Sequence, residues 1–293
     1  MNLEVLHLGL PKGRMQTGVF ALLEAAGIDV TPMRRGYRPR VSLPEVETKI
    51  LKPQNIVEML QLGSRDVGFA GADWVAELSE GTPQGPPLVE ILDTGLDPVR
   101  VVAAAPVSLL EGGRLPVRAL RVASEYERLT RRWIGDQQLD AQFVRSYGAT
   151  EVFPPEDAEL IVDNTATGST LRDNDLVIID ELMTSSTRLY ASGAAYEHPD
   201  KRRRIEDLAM LLRAVLEGRR RSMIEVNVSA DDLDQVVAAL PAMQHPTISP
   251  LSGNAGFAVR AAVLRGELAR VIPEIKSKGG RDVVVSNVGQ IVP

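Results

Sequence analysis

Short apolar runs alternate with stretches of helical spacing along most of the chain. The run LEVLHLGL, at residues 3–10, predicts a first strand. Behind it, Val19, Leu22 and Leu23 recur at the spacing of one helix face, and Gly27 is a typical stop for such a helix. The opening of the chain therefore predicts a strand followed by an amphipathic helix.

The same rhythm continues through the next 160 or so residues of sequence. The pattern predicts strand 46–52, helix 53–62, strand 66–70 and a short helix at 72–78, then two strands within PLVEILDTGLDPVRVVAAAP, residues 87–106. Further strands are expected at LRVASEY, DAQFVRSYG and AELIVD, with a helix at 129–133, and SSTRLYAS begins a return segment. Strands alternating with helices indicate βαβ units and mainly parallel sheets.

The pattern changes after a charge-rich helix at 199–222. The tail reads β-α-β-β-α-β, which is the ferredoxin-like order. We therefore expect an α/β protein: a two-lobed body of the periplasmic-binding-protein type, followed by a small ferredoxin-like domain. The expected boundaries are 1–95 plus 181–218 for lobe I, 96–180 for lobe II and 219–293 for the terminal domain.

Composition narrows the classes of protein. The 293 residues are 44% hydrophobic but only 4% aromatic, which favours α/β layers of aliphatic side chains. A net charge of −6 predicts no global attraction to nucleic acid, so any anion site must be local. The absence of cysteine excludes disulfides, thiol catalysis and zinc–thiolate sites. The three histidines lack metal-ligand spacing, and no secretion signal or membrane span is visible, so we expect a soluble cytoplasmic protein.

A polar segment, DNTATGST, interrupts the apolar sequence at residues 163–170. It follows a predicted buried strand, and there backbone N–H groups and hydroxyls converge on phosphates in many proteins. Gly168 would let the backbone approach an anion closely, because it has no Cβ. Asp163 stands where a carboxylate could accept ribose hydroxyls. The competing interpretation is an ordinary hydroxyl-capped turn.

The segment also resembles a known motif. The spacing D-x-x-x-T-G-x-T-L at 163–171 is similar to the phosphoribosyl-diphosphate loop of ATP phosphoribosyltransferases. LGLPKGRM at 8–15, the stretch 52–78, ASEYERLTRRW at 123–133 and SSTRLYAS at 185–192 resemble further motifs of that family, in the same order. The tail resembles the regulatory domain of the family's long form. The resemblance thus covers nearly the whole chain.

The resemblance implies an enzyme that joins N1 of the adenine of ATP to C1 of phosphoribosyl diphosphate and releases pyrophosphate, the first step of histidine biosynthesis. It implies Mg²⁺ as cofactor, histidine as feedback inhibitor and a homo-hexamer, with dimers in other states. The expected phosphoribosyl-diphosphate site consists of Asp163, Thr165, Ala166, Thr167, Gly168, Ser169 and Thr170. The expected catalytic residues are Asp163, Arg14 and Lys12, and the expected ATP-binding residues are Gly71, Asp73, Lys12 and Arg14.

Several of these residues have a simpler interpretation. The PKGR segment with Lys12 and Arg14 could be a solvated turn, and Asp73 could be the N-cap of a helix. The sequence also departs from the family pattern at Asn164, where an aliphatic residue is usual, and at Glu156, near which a glycine is usual. Two alternatives therefore stay open: a two-lobed effector-binding protein, and a non-catalytic subunit of the same fold.

Overall fold

The computed structural model describes residues 4–31, 36–79, 86–243 and 245–292. The chain divides into two compact units. The first comprises residues 1–24 and 28–209, and the second comprises 25–27 and 210–293. The unit boundary falls within the long helix α7 (Pro199–Arg220). The finer division into two lobes at residues 95 and 180 stays a prediction.

The first unit alternates strands and helices. Its strands are β1 (Leu6–Pro11), β2 (Val30–Thr31), β3 (Arg40–Val41), β4 (Val46–Leu51), β5 (Val67–Gly71), β6 (Val89–Pro106), β7 (Leu120–Ser124), β8 (Ala141–Arg145), β9 (Leu160–Thr165) and β10 (Leu176–Ala191). Its helices before α7 are α1 (Arg14–Ala25), α2 (Pro53–Gln61), α3 (Ala72–Ser79), α4 (Glu127–Asp136), α5 (Ser169–Asp173) and α6 (Gly193–Glu197).

Eight of these strands form one sheet in the order β4-β1-β5-β10-β6-β9-β7-β8. The outer groups β4-β1-β5 and β9-β7-β8 are parallel, as the βαβ rhythm predicts. Between them run β6 and β10, which pair with each other in antiparallel fashion over most of their length. The sheet therefore has two parallel groups joined by one long antiparallel pair.

The long pair corrects two expectations. Residues 87–106 were predicted to form two strands, but Val89–Pro106 is one strand of 18 residues. Its turn-like residues Gly95 and Asp97 have positive φ, and they lie beside register shifts of the β6–β10 ladder. Bulges absorb such residues without ending a strand. The return segment SSTRLYAS is likewise the continuation of β10.

Strand β6 shows how both faces of the sheet are covered. Val101, Ala103 and Ala105 belong to one buried cluster with Tyr126 and Trp133, whereas the alternate residues Val102 and Ala104 belong to a second cluster. Successive side chains of a strand point to opposite faces. A strand buried on both faces appears in the sequence as a continuous apolar run, and VVAAAP at residues 101–106 is such a run.

The second unit contains the elements β11 (Arg221–Val228), α8 (Leu233–Ala239), β12 (Thr247–Pro250), β13 (Phe257–Leu264), α9 (Leu268–Ser277) and β14 (Arg281–Asn287). Its antiparallel sheet has the order β12-β13-β11-β14. Alternate residues of β11 are buried, and they pack with Val271 and Ile275 of α9. The predicted βαββαβ unit is thereby confirmed. Within the described ranges, no helix is long and apolar enough to cross a membrane.

Candidate active site

A pocket of about 400 Å³ lies where the parallel strands β9, β7 and β8 reach their carboxyl ends. The carboxyl ends of parallel strands meet at one edge of a sheet, where ligands commonly bind. The pocket is lined by the residues Arg14, Glu125, Gly148–Glu151, Asp163–Thr167 and Ser169–Leu171. Most of the segment predicted to bind phosphate therefore lines one cavity, together with Arg14 from the start of α1.

The polar loop after β9 is held in shape by its own side chains. Gly168 has φ 73°, in the left-handed region that favours glycine. Its N–H donates to the Thr165 hydroxyl at 2.9 Å, and the Arg172 guanidinium donates to the carbonyl of Thr167 at 3.0 Å. Gly168 is the loop residue that does not line the pocket itself. Its contribution is the backbone conformation that turns the chain into α5.

Several donors of this loop are left without a partner. The backbone N–H groups of Ala166, Thr167 and Thr170 have no hydrogen-bond acceptor within the described part of the chain. The Thr167 and Ser169 hydroxyls lie 3.0 Å apart, and only one of them can donate to the other. The Arg14 guanidinium has neither a hydrogen bond nor an ion pair with any described residue. Donors and a cation that are unpaired within the described ranges, gathered around one cavity, are the groups that an anionic ligand requires.

Asp163 is the acidic residue of the loop. Its Oδ1 accepts the backbone N–H of Asn164 at 2.7 Å. Burial is the largest influence on this carboxyl, and with the nearby charges of Glu151 and Glu125 it raises the pKa of Asp163 to about 7, although the Asn164 N–H acts in the opposite direction. The carboxyl therefore titrates in the neutral range.

Lys12 is not brought into this pocket. Its side chain is exposed, with Nζ 3.4 Å from the Tyr37 hydroxyl and 5.0 Å from the centre of the Tyr37 ring. A long lysine side chain can adopt other rotamers, so its expected contact with phosphate stays a prediction.

Gly71 and Asp73 lie in a buried network instead of this pocket. Asp73 is 3% exposed, and its two carboxylate oxygens accept hydrogen bonds from Ser185 Oγ at 2.7 Å and from the Tyr126 hydroxyl at 2.6 Å. A Cβ on Gly71 would come within 2.1 Å of Asp73 Oδ1, so glycine here makes room for that carboxylate. The predicted contact of these residues with ATP remains untested.

Sequence analysis missed the other side of the pocket, Gly148–Glu151 and Glu125. A usable signal was present, because the polar, glycine-bearing segment SYGAT follows β8 as the polar loop with Gly168 follows β9, and both strands pair with β7. Gly148 has φ 105°, and the Thr150 hydroxyl lies 2.8 Å from that of Ser146. Strand ends that share an edge contribute to one site, so each glycine-bearing strand end was a candidate.

The fold and this pocket define a class of protein, an α/β protein with a polar ligand pocket at the carboxyl ends of its parallel strands. Residues 52–214 match the family described as "HisG: ATP phosphoribosyltransferase", and residues 218–290 match "HisG, C-terminal domain". The chain belongs to the ATP phosphoribosyltransferase family and carries the C-terminal domain of that family, as the sequence motifs predicted.

Relatives named ATP phosphoribosyltransferase align with nearly the whole length of this chain. The ATP phosphoribosyltransferase of Pelotomaculum thermopropionicum is 34% identical, with 98% of this chain and 99% of the relative aligned. The enzyme of Solibacter usitatus is 33% identical over 98% and 99% of the two chains. Among solved structures, the "ATP phosphoribosyl transferase (HisG:HisZ) complex from Thermotoga maritima" aligns with a TM-score of 0.62 at 25% identity, over 73% of this chain and 99% of that one. The predicted two-lobed fold is thereby confirmed.

Proposed function

We propose that this chain joins N1 of the adenine of ATP to C1 of phosphoribosyl diphosphate, with release of pyrophosphate. The observation that carries the proposal is the set of unpaired donors around the pocket, namely the N–H groups of Ala166, Thr167 and Thr170 and the guanidinium of Arg14. A 5-phosphate seated on the loop would receive these N–H groups and the hydroxyls beside them.

The chemistry requires positioning and charge stabilisation more than acid–base catalysis. As pyrophosphate leaves C1, the ribose carbon becomes cationic and negative charge gathers on the leaving oxygens. The Arg14 guanidinium can bind two of those oxygens at once. Ionised Asp163 can accept the ribose hydroxyls, which fixes C1 in front of the adenine N1. Lys12 remains a proposed contact for the remaining phosphates, and the predicted ATP contact of Gly71 and Asp73 is tested by substitution of Asp73.

Magnesium fits this site as an ion that arrives with the diphosphate. Within the described ranges, no group of three or more acidic or histidine side chains could form a protein cage for a metal. Mg²⁺ typically keeps several waters and binds substrate phosphates with few protein ligands. When bound, the ion would neutralise charge on the departing pyrophosphate. The protein's own part is to present the donors of the loop.

The test is pyrophosphate release from ATP and phosphoribosyl diphosphate, with calorimetry of each substrate. The expected result is Mg²⁺-dependent release and binding of phosphoribosyl diphosphate in the absence of ATP. A two-lobed effector-binding protein would bind a small ligand without release, and a non-catalytic subunit would do neither. Either result would contradict the proposal.

We also propose that histidine inhibits the enzyme through the second unit. The segment 245–259 carries hydroxyls, an asparagine and two glycines with positive φ, Gly253 and Gly256. A cavity of about 270 Å³ in the same unit is lined in part by His245, Thr247 and Arg260. Polar groups beside an apolar wall suit a free amino acid.

Inhibition from a separate site requires that histidine bind one state of the protein better than another. Full-length protein should therefore bind histidine by calorimetry and lose activity, and Arg260→Ala should weaken both effects together. If saturating histidine neither binds nor changes the rate, the second unit is an assembly element instead.

Native mass spectrometry with and without histidine tests the expected hexamer and dimer. A cytoplasmic location remains a prediction.

A further inference from the structure

A buried chain of hydrogen bonds runs from α3 to the phosphate pocket. Ser185 Oγ and the Tyr126 hydroxyl donate to Asp73 at 2.7 and 2.6 Å. Asn164 Nδ2 lies 2.9 Å from the Tyr126 oxygen and 3.4 Å from Asp163 Oδ1. Tyr126 is 0% exposed and Asp73 is 3% exposed, so water does not compete for these bonds.

The numbers of donors and acceptors on each side chain determine which atom donates in every hydrogen bond of this series. Asp73 accepts a hydrogen bond at each carboxylate oxygen, so it acts as an acceptor only. The Tyr126 hydroxyl has one proton, which it gives to Asp73, and its oxygen is left as an acceptor. A group facing that oxygen must therefore be a donor. This requirement selects Nδ2 over Oδ1 as the Asn164 atom that faces Tyr126.

The orientation of the Asn164 amide also affects the Asp163 carboxyl in the pocket. An amide nitrogen has two protons, and with one directed to Tyr126 the other is available to Asp163 Oδ1. The same oxygen accepts the backbone N–H of Asn164 at 2.7 Å. The charged or titratable groups around this carboxyl are Glu125 and Glu151, Arg14 on the pocket wall, and Tyr126. Asn164 thus supplies a donor to a carboxyl that two acidic neighbours make harder to ionise.

We propose that Asp73, Tyr126 and Asn164 form a directional hydrogen-bond chain that positions the Asp163 carboxylate for the substrate ribose. They are positioning residues, since they act through Asp163, and this inference rests on the proposed function. An aliphatic side chain at position 164 would leave Asp163 with the backbone N–H alone and the buried Tyr126 oxygen without its donor.

The first experiment compares Asn164→Leu with the wild type, because leucine has the same number and branching of side-chain heavy atoms and lacks the donor. The pH dependence of kcat/KM for phosphoribosyl diphosphate should shift its acid limb to higher pH. One lost hydrogen bond corresponds to a decrease of roughly two- to tenfold near neutral pH. The decrease should disappear at alkaline pH, where Asp163 is ionised without help. A general loss of fold would lower activity at every pH.

A second measurement does not depend on turnover. In ¹³C-aspartate-labelled protein, the Asp163 carboxyl resonance is identified by its absence from Asp163→Asn, and it is titrated in the wild type and in Asn164→Leu. Loss of the donor should raise the pKa by roughly half a pH unit to one pH unit. Matched controls are Asn227→Leu, which removes an amide 3.2 Å from Asp282, and Tyr190→Phe, which removes a buried hydroxyl 3.4 Å from Glu90. Neither control should move the Asp163 titration.

Tyr126→Phe tests the direction of the chain. It should also raise the pKa of Asp163, and the double variant with Asn164→Leu should equal Asn164→Leu alone, because Tyr126 acts only through the amide. An unchanged Asp163 titration in Asn164→Leu, or additive effects in the double variant, would overturn the inference. If the titration moves as expected but the wild type releases no pyrophosphate, the proposed function fails and the coupling stands.

Discussion

Two strand ends of the first unit carry an aspartate beside a glycine: β9 with Asp163 and Gly168, and β5 with Gly71 and Asp73. The sequence motifs predicted phosphoribosyl diphosphate as the ligand of the first and ATP as the ligand of the second. Within the described ranges, the β9 loop keeps unpaired N–H groups around a cavity, whereas each oxygen of the buried Asp73 carboxylate accepts a hydrogen bond, from Ser185 or from Tyr126.

The two glycines differ in the same way. Gly168 has a positive φ that bends the loop. Position 71 requires a glycine for another reason, because the Asp73 carboxylate occupies the space that a side chain would need. A glycine and an aspartate at a strand end are therefore ambiguous. The presence of donors that the protein does not use itself is what indicates a ligand site.

Substitution of the β9 glycine should have the largest effect. Gly168→Val places a β-branched residue at φ 73°, with its Cβ 3.2 Å from the Arg172 guanidinium. We expect the loop to change shape and the affinity for phosphoribosyl diphosphate, measured by calorimetry, to fall by about 100-fold or more, or at least ~2.7 kcal/mol. The control is Gly63→Val, at φ 68° with open space around it, which imposes similar backbone strain outside the pocket. Unchanged affinity in a folded Gly168→Val protein would remove the loop from the site.

Removal of the unpaired cation should have the next largest effect. A charge-assisted contact is worth about 1.5–3 kcal/mol, so Arg14→Ala should lower kcat/KM for phosphoribosyl diphosphate by roughly ten- to a hundredfold. Thermal stability should stay near that of the wild type, because Arg14 has no partner among the described residues. Arg202→Ala, which removes an exposed partner of Glu206, is the matched control. Wild-type kinetics in Arg14→Ala would show that the PKGR segment is only a turn.

Asp73 should matter for the fold more than for binding. Asp73→Asn replaces one acceptor by a donor that faces a buried hydroxyl, at a cost of about 1–3 kcal/mol. We expect a decrease in Tm of roughly 2–10 °C and a nearly unchanged KM for ATP. Asp136→Asn, on the exposed end of α4, should leave Tm unchanged. A raised KM for ATP at unchanged Tm would instead support the predicted ATP contact and erase the contrast between the two strand ends.

The smallest effect concerns the charge on Asp163. Its pKa is about 7 in the folded protein, above the value of about 4 expected when unfolded. Its favourable contribution to stability is therefore full below about pH 4 and is lost as the pH rises through about 7. Asp163→Asn should raise stability by about 1–2 kcal/mol at alkaline pH, since solvent reaches part of this carboxyl, and should change little near pH 4. Thermal unfolding of both proteins, from about pH 4 to alkaline pH, measures this difference in stability. An equal gain at acidic and at alkaline pH would contradict the assigned pKa.

Much of the fold could be predicted because it depends on local pattern. The continuous apolar run from Val101 to Ala105, the helical spacing of Val19, Leu22 and Leu23 and the βαββαβ order of the tail are all local patterns of the sequence. The segment 87–106 was predicted to form two strands, but Gly95 and Asp97 lie within the single strand β6. Whether such residues end a strand or form a bulge depends on the partner strand, which lies about 90 residues away in β10.

The sequence by itself determined the order of the elements, the family, and the loop 163–170 as the leading candidate for phosphate, because each of these depends on residues close together in the chain. Tertiary structure alone decided which polar groups remained free. Asp73 accepts hydrogen bonds from Ser185, 112 residues away, and from Tyr126, 53 residues away, while Arg14 lines the pocket of β9 without a partner in the described part of the chain. Hydrogen-bond capacity is shared among groups that meet only in the folded chain, so a local motif cannot show which donors are left for a substrate.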